Sequence, residues 1–410
     1  MSDLPVRAQL AAALGRTASK MSRLAGRGDG SVIGGRVGLA LDPELLRRLA
    51  ADRRLVLVSA TNGKTTTTRL IASALRVRGD VATNAFGANM PSGHVLALAQ
   101  APTAPYAVLE CDEKYVPMVL AETGAGIVAL MNLSRDQMDR AAEIWLLAGK
   151  WRKALDGAAT HVVANCDDPL VTWGAGAAKS VTWVSAGQHW REDSWCCPEC
   201  GGPLDREGVH WKCRECHFAR PKPDWILHAD RITTPRGRTY ELSLQLPGRA
   251  NRSNAVIALA VAAQLGLEPE EVLPRLAEVT SVAGRYTTVE HQGRQLRLLL
   301  AKNPAGWLEA FDVLAPPPGP VALSINAQGP DGRDTSWLWD VDYRVLRGRP
   351  VWATGERRLD LAARLEAADV RFTIVEDIDE AIMAVGPGRL DVIANYTAFQ
   401  QIRTRYGRVV

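Results

Sequence analysis

The sequence lacks any apolar run approaching the roughly 18 residues that a membrane-spanning helix requires. It lacks a cleavable leader pattern too: "LAAALG" is short, no small-residue cleavage site follows it, and Arg7, Arg16 and Lys20 surround it. Cytoplasmic residence is therefore expected, with at most peripheral contact at the membrane face. A large charge imbalance is also missing, since a net +4 over 410 residues is too small to argue for nucleic acid. Cysteine is sparse, at seven residues, and no internal repeat or low-complexity tract is visible. What is present is an apolar fraction of 47% and a charged fraction of 23%, the proportions of a globular chain long enough for two or three domains.

Charge is uneven along the chain. Residues 1 to 54 hold ten cations (Arg7, Arg16, Lys20, Arg23, Arg27, Arg36, Arg47, Arg48, Arg53, Arg54) against five acids (Asp3, Asp29, Asp42, Glu44, Asp52). This reads as a solvated helical face, with approach to anionic lipid headgroups or phosphates as the alternative. From about residue 54, short β-branched runs alternate with amphipathic helices, which predicts a parallel sheet covered by helices. The alternation breaks near residue 190, and "LRLLLA", "GWLEAFDVL", "VALSINA", "RPVWATG" and "LDVIANYTAF" build a second α/β domain. The expected organisation is a basic helical segment over 1–50, a first α/β domain over 51–293 with an insertion at about 192–220, and a C-terminal Rossmann-like α/β domain over 294–410.

"LVLVSATNGKTTTTRL" reads as a strand, a Gly-containing turn and a helix beginning at Gly63-Lys64-Thr65. Backbone amides at such a helix start bind phosphate oxygens, Lys64 can reach the β and γ phosphates, and the Thr65 hydroxyl can ligate Mg²⁺. A strict Walker pattern wants Gly where Val58 stands. A chance lysine in an ordinary βα turn is the bland alternative.

Two C-x-x-C pairs, Cys197/Cys200 and Cys213/Cys216, lie twelve residues apart, and Gly-Gly follows the first. This spacing lets four thiolates close a tetrahedral zinc site across two tight turns, structural in kind because protein fills every position. The acidic flanks Glu192, Asp193, Glu199, Asp205 and Glu207 argue against nucleic acid at this ribbon. Cys196 and His217 read as bystanders. Neither Cys111 nor Cys166 sits in a Gly-flanked nucleophile turn, and both adjoin acids; neither thiol therefore reads as an activated nucleophile.

"ATNGKTT" resembles the signature of Mur ligases and folylpolyglutamate synthases, with Ala60 in place of the usual Gly. Glu110 after "YAVL", "NCDDP" (165–169), "GRANRSN" (248–254) and "AGR" (283–285) follow in the family's order. The resemblance implies ATP and Mg²⁺: Thr61, Asn62, Gly63, Lys64, Thr65 and Thr66 around the phosphates, Glu110 with Thr65 on Mg²⁺, Asn251 and Asn254 at the adenine, and Arg285 at phosphate. "DQMD" (136–139) departs from the family's D-H-L-D, and "LLAKNPAG" (299–306) puts Lys302 where a histidine is expected, beside Asn303.

With the ribbon, the about fifty residues before the phosphate loop, "LAKNPAG", "DGRDTSWLWD" and "NYTAF", the chain resembles the MurT family of Mur-ligase-like synthetase subunits. That resemblance implies ATP-dependent amidation, through an acyl phosphate, of the D-glutamate α-carboxylate in the lipid II stem peptide. Ammonia would come from a GatD-type glutaminase bound as a heterodimer, with Lys64 and Lys302 at the reacting groups. An aspartate of the C-terminal domain would complete the partner's Cys-His pair, and the matching position is Asp334, with helix capping as its rival role. Asp331 reads as a turn residue and Asp340 as part of a helix, while Trp337 and Trp339 are candidate interface anchors. Alternatives are a ligase adding an amino acid to folate or a muropeptide, and an ATP-binding scaffold.

Overall fold

Strands buried on both faces need apolar side chains at nearly every position, and Arg54–Ser59, buried at all but its first residue, opens such a sheet. The computed structural model describes residues 4–25, 30–84, 87–136, 143–280, 286–316 and 318–406. Its first sheet contains β1 (Arg54–Ser59), β2 (Val81–Thr83), β3 (Tyr106–Glu110), β4 (Ile127–Leu130), β5 (His161–Asn165) and β6 (Val181–Ser185). A separate hairpin, β7 (Leu204–Glu207) with β8 (His210–Cys213), precedes β9 (Trp225–His228), β10 (Arg231–Thr233) and β11 (Thr239–Glu241), which complete the sheet. The spatial order is β11-β10-β9-β6-β5-β4-β1-β3-β2, antiparallel only at β9, β10 and β11. β1 therefore lies between β3 and β4, and the connection after β1 runs past β3 to β2 whereas the one after β3 runs back past β1 to β4. Ligands of open α/β sheets bind at the carboxyl ends of strands at such a switch point.

Four helices precede or follow β1: α1 (Val6–Leu24), α2 (Ser31–Leu41), α3 (Leu45–Ala50) and α4 (Lys64–Leu75). Small residues let α1 and α2 meet backbone to backbone; a Cβ at Gly34 would sit 2.6 Å from Gly15 O. Ala8, Ala11, Leu45 and Leu46 share one core with Leu57, Leu98 and Leu109. Residues 4–25 and 30–50 thus belong to the first unit rather than standing beside it.

The second unit takes in residues 134–143, 247–249 and 281–410. Its sheet holds β12 (Tyr286–His291), β13 (Arg294–Leu300), β14 (Val321–Ser324), β15 (Val351–Thr354), β16 (Thr373–Ile374) and β17 (Gly388–Ala394), in the order β12-β13-β17-β14-β15-β16. All pairs are parallel except β12 with β13. A boundary at residue 294 would cut that hairpin, whose two-residue turn has positive φ at Gln292 and Gly293, the geometry of a primed turn. β12 belongs with β13, inside the second unit. Its polar edge sequence, "YTTVEH", carries little of the apolar signal that marks the neighbouring strands.

An ion pair lies inside this unit. Arg297 on β13 and Asp391 on β17 are direct register partners, and Nε and Nη2 donate to Oδ1 and Oδ2 at 2.7 Å each. Ala315 N donates to the same carboxylate at 3.1 Å, and the two side chains are 7% and 2% exposed. Removing one charge from a buried bidentate pair strands the other, so Asp391→Asn is expected to destabilise this unit by roughly 3–5 kcal/mol. Replacing both partners, Arg297→Met with Asp391→Leu, should recover most of that loss. Urea unfolding of the full chain checks it; an unchanged midpoint for Asp391→Asn would contradict it.

Candidate functional site

The turn after β1 places the phosphate loop at the switch point. Gly63 has φ +86° and starts α4, and a Cβ there would lie 2.5 Å from Asn254 Oδ1. Only glycine satisfies both the left-handed backbone and the close approach. Lys64 is buried and folds over the loop, donating to the Ala60 carbonyl, to Thr61 O at 3.2 Å and to Glu113 Oε2 at 3.3 Å. Thr65 Oγ1 donates to Glu110 Oε2 at 2.8 Å. A hydroxyl and a carboxylate this close offer the oxygen donors that Mg²⁺ takes, beside the amides of a helix start that take phosphate. These residues fit a Mg²⁺-nucleotide.

Residues that sequence reading does not single out hold this arrangement. Asn132, two residues beyond β4, donates to Asn62 O at 3.0 Å and accepts from Asn62 N at 2.9 Å, while its own carbonyl accepts from Thr61 N at 3.0 Å. Asn84 brackets the Glu110 backbone in the same reciprocal way, at 2.8 Å in each direction. The fully buried His94 bonds through Nε2 to Glu110 O at 2.8 Å, and burial pushes its imidazole down to about 4. "TN" at 83–84 and "MN" at 131–132, each at or just past a strand end, are the available signals.

Asn254 Nδ2 donates to Asn251 Oδ1 at 3.4 Å, so the two asparagines are neighbours, with Asn254 against the phosphate loop. Arg285, with Gln137 to Asp139 of "DQMD", lies outside the described residues. Lys302 and Asn303 belong to the second unit. Lys302 forms an ion pair with Asp136, and buried Asn303 caps the helix Pro304–Asp312 by accepting from Gly306 N at 2.8 Å. Arg135, Asp136, Lys302, Asp331, Asp334 and Asp340 line one cleft of this unit.

The four cysteines of the two pairs converge. Cys197 and Cys216 are 3.6 Å apart through sulfur, Cys200 and Cys213 3.5 Å, and all four sulfurs lie within 4.8 Å of one another. Zn–S bonds of about 2.3 Å in a tetrahedron set sulfurs about 3.8 Å apart, so the donor set fits zinc, and the separations are far beyond a disulfide. Cys196 and His217 are not in the cluster.

The ribbon is tied to the nucleotide side of its unit. Trp211 Nε1 donates to Cys166 O at 3.1 Å, and Arg220, with its side chain 6% exposed, donates to Asp167 at 2.7 Å. Next in sequence, Asp168 accepts from Leu170 N, Val171 N and Leu133 N at 2.9, 3.2 and 3.1 Å. It caps one helix and fixes the residue after Asn132. Burial pushes its carboxyl up to about 6, against those amides. Burial first, and neighbouring acids second, also raise the thiols of Cys111 and Cys166.

"DGRDTSWLWD" separates its aspartates by role. Asp331 accepts from Thr397 N at 2.9 Å and from the Thr397 hydroxyl, fastening "NYTAF". Asp340 pairs with Arg135 at 3.4 Å. Asp334 is exposed and accepts from Ser336 N at 2.8 Å, which holds its carboxylate below the usual range. The expected helix is two 3₁₀ turns, Ser336–Asp340 and Tyr343–Leu346, and Thr335 rather than Asp334 holds the cap position. Trp337 packs near Trp307, at 6.4 Å between centroids, whereas Trp339 is 62% exposed beneath Arg364.

Residues 58–262 match the family model of the Mur ligase middle domain and residues 300–399 that of the MurT ligase C-terminal region. The lipid II isoglutaminyl synthase (glutamine-hydrolyzing) subunit MurT of Staphylococcus aureus strain COL is 30% identical over 393 residues, covering 89% of each chain. Its namesake from Streptococcus pneumoniae strain R6 is 30% identical over 421 residues, covering 93% of each. Among solved structures, a pseudomurein peptide ligase type C from Methanothermus fervidus has TM-score 0.70 at 17% identity, over 88% of this chain and 80% of that one. The MurF ligase of Thermotoga maritima with ADP has TM-score 0.63 at 15% identity, over 90% and 82%. Both show the Mur ligase fold.

The geometry has two testable outcomes. The folded chain keeps His94 neutral down to about pH 4, whereas an exposed imidazole protonates near 6.5. Acidification through that window therefore favours unfolding, by up to roughly 3 kcal/mol from this group. Asp168, raised to about 6, works in the opposite direction over the same window. Comparison with His94→Gln isolates the histidine: the wild type should lose more stability than the variant between pH 6.5 and 4 in urea titrations, and parallel curves would contradict this. Metal analysis should find one zinc per chain, lost in Cys213→Ser together with thermal stability; a metal-free chain of undiminished stability would contradict a structural site.

Proposed function

Since the chain belongs to the MurT family of Mur-ligase-type proteins, we propose that it is the synthetase subunit of a lipid II isoglutaminyl synthase. It amidates the D-glutamate α-carboxylate of the stem peptide to D-isoglutamine, in cell-wall synthesis at the cytoplasmic membrane face. The carboxylate oxygen would take the γ-phosphoryl group of Mg²⁺-ATP as ADP leaves; ammonia then forms the C–N bond, giving up one proton, as inorganic phosphate departs. Thr61, Asn62, Gly63 and Thr66 cradle the phosphates, Lys64 neutralises charge at the transferred group, Thr65 and Glu110 hold Mg²⁺, and Asn251, Asn254, Asn303 and Arg285 serve the nucleotide. Lys302, oriented by Asp136, is the cation for the activated carboxylate. Zinc is held by Cys197, Cys200, Cys213 and Cys216.

The nitrogen source is a GatD-type glutaminase in a heterodimer. Of this chain's seven cysteines, Cys111 and Cys166 are buried with raised thiol pKa values, four form the ribbon cluster, and Cys196 is exposed beside Cys197; this distribution supports a nucleophile supplied by the partner. One observation carries the choice of aspartate: Asp331 is fastened to Thr397 and the exposed Asp340 pairs with Arg135, whereas the exposed carboxylate of Asp334 accepts locally, from Ser336 N in an Asx turn. An exposed acid can orient a partner's histidine, as the third member of a triad does.

Asp334→Asn is expected to lower glutamine-dependent amidation by about two to four orders of magnitude while ammonium-dependent amidation stays within a few-fold of wild type. Product formation from lipid II in the reconstituted complex measures both. Equal loss with the two nitrogen sources would contradict the assignment.

A further inference from the structure

The first helix turns its small residues inward and its large ones outward. Ala8, Ala11, Ala12, Gly15, Ser19 and Ser22 of α1 are buried, where their size permits the close approach to α2. Val6, Leu10, Leu14, Met21 and Leu24 are 72%, 58%, 50%, 65% and 88% exposed. At 100° per residue these five fall, with Thr17, in an arc of about 80°. They run the length of the helix, about 27 Å at 1.5 Å per residue. Single exposed apolar residues need no explanation, but a continuous row of this length marks a surface that something covers.

Charge identifies what covers it. From Leu4 to Gly28 the chain contains no acid and five cations, Arg7, Arg16, Lys20, Arg23 and Arg27. Arg7 borders the row on one side, held there by its bond to Leu41 O at 2.7 Å, and exposed Lys20 borders it on the other. α2 adds exposed Val32, Ile33, Leu41 and Arg36. A protein groove would require only the apolar row; the acid-free cationic border is what phosphate headgroups require. No described helix is long and apolar enough to cross a membrane, which leaves the interface plane.

We propose that α1 is an interfacial helix that seats the Val6–Leu24 row in the acyl boundary of an anionic bilayer, with Arg7 and Lys20 at the headgroup phosphates. The inference goes beyond the proposed reaction, because it concerns where the protein stands rather than what it catalyses. It also gives the basic segment a use that a merely solvated face would lack.

The test is sedimentation of the full chain with vesicles of phosphatidylglycerol and phosphatidylcholine, or of phosphatidylcholine alone. Wild type should bind the anionic vesicles, less so at high salt, and Leu10→Glu with Leu14→Glu and Met21→Glu should cut the bound fraction about tenfold or more. Circular dichroism melting shows that the variant still folds, as expected for exposed positions. A wild type left in the supernatant, or a triple variant that binds equally, overturns the proposal. So does a wild-type dimer that the triple variant renders monomeric without any vesicle binding, since the row would then be a contact between copies. Binding is read without substrate, so failure of the amidation reading leaves this test intact.

Discussion

The nucleotide side of the first unit depends on how one amide grips the phosphate loop. Asn132 both donates to and accepts from the Asn62 backbone, so the loop's amides are set by the end of β4 rather than by the loop alone. The grip extends outward. Leu133 N, the next donor, is taken by Asp168; Asp167 beside it takes Arg220 from the end of the ribbon; and Trp211 of the ribbon donates to Cys166. A ribbon whose four cysteines converge is thereby fastened, through three consecutive residues, to the backbone that shapes the proposed phosphate site. This gives the insertion a physical reason that needs no ligand of its own.

Glu110 shows the same economy. Asn84 and His94 both bind its backbone, leaving the carboxylate to face Thr65. A neutral, buried imidazole suits that task, because it fills the hydrogen bond to Glu110 O without placing a charge in the interior. In the second unit a comparable division holds among three aspartates: one fastens the last helix, one pairs at the surface with arginine, and one, also exposed, accepts from the backbone two residues on. The proposed complex uses that last position as surface lent to a partner.

Much of the fold is legible in the sequence, because local chemistry demands it. A strand, a glycine turn and Lys-Thr at a helix start form one contiguous pattern, and two C-x-x-C pairs predict convergence without any knowledge of the tertiary fold; the sulfurs do converge. What stays hidden depends on contacts distant in sequence. His94 meets Glu110 across 16 residues and Asn132 meets Asn62 across 70, and nothing adjacent to either side chain announces its partner. The domain boundary is misplaced by sequence because an edge strand needs little apolar patterning. "SWLWDVDYRVL" reads as one helix because its spacing permits it, yet the chain forms two 3₁₀ turns there. Resemblance alone singles out Asp334; its exposure, unlike that of Asp331, can come only from the fold.

In the proposed reaction a carboxylate is activated by phosphorylation before nitrogen arrives. Oxygen transfer tests this most directly, using lipid II labelled with ¹⁸O in the D-glutamate α-carboxylate, ATP, glutamine and the glutaminase partner. Acyl phosphate chemistry predicts ADP and one labelled oxygen in inorganic phosphate for each isoglutamine formed. Unlabelled phosphate, or AMP with label in its own phosphate, would contradict it.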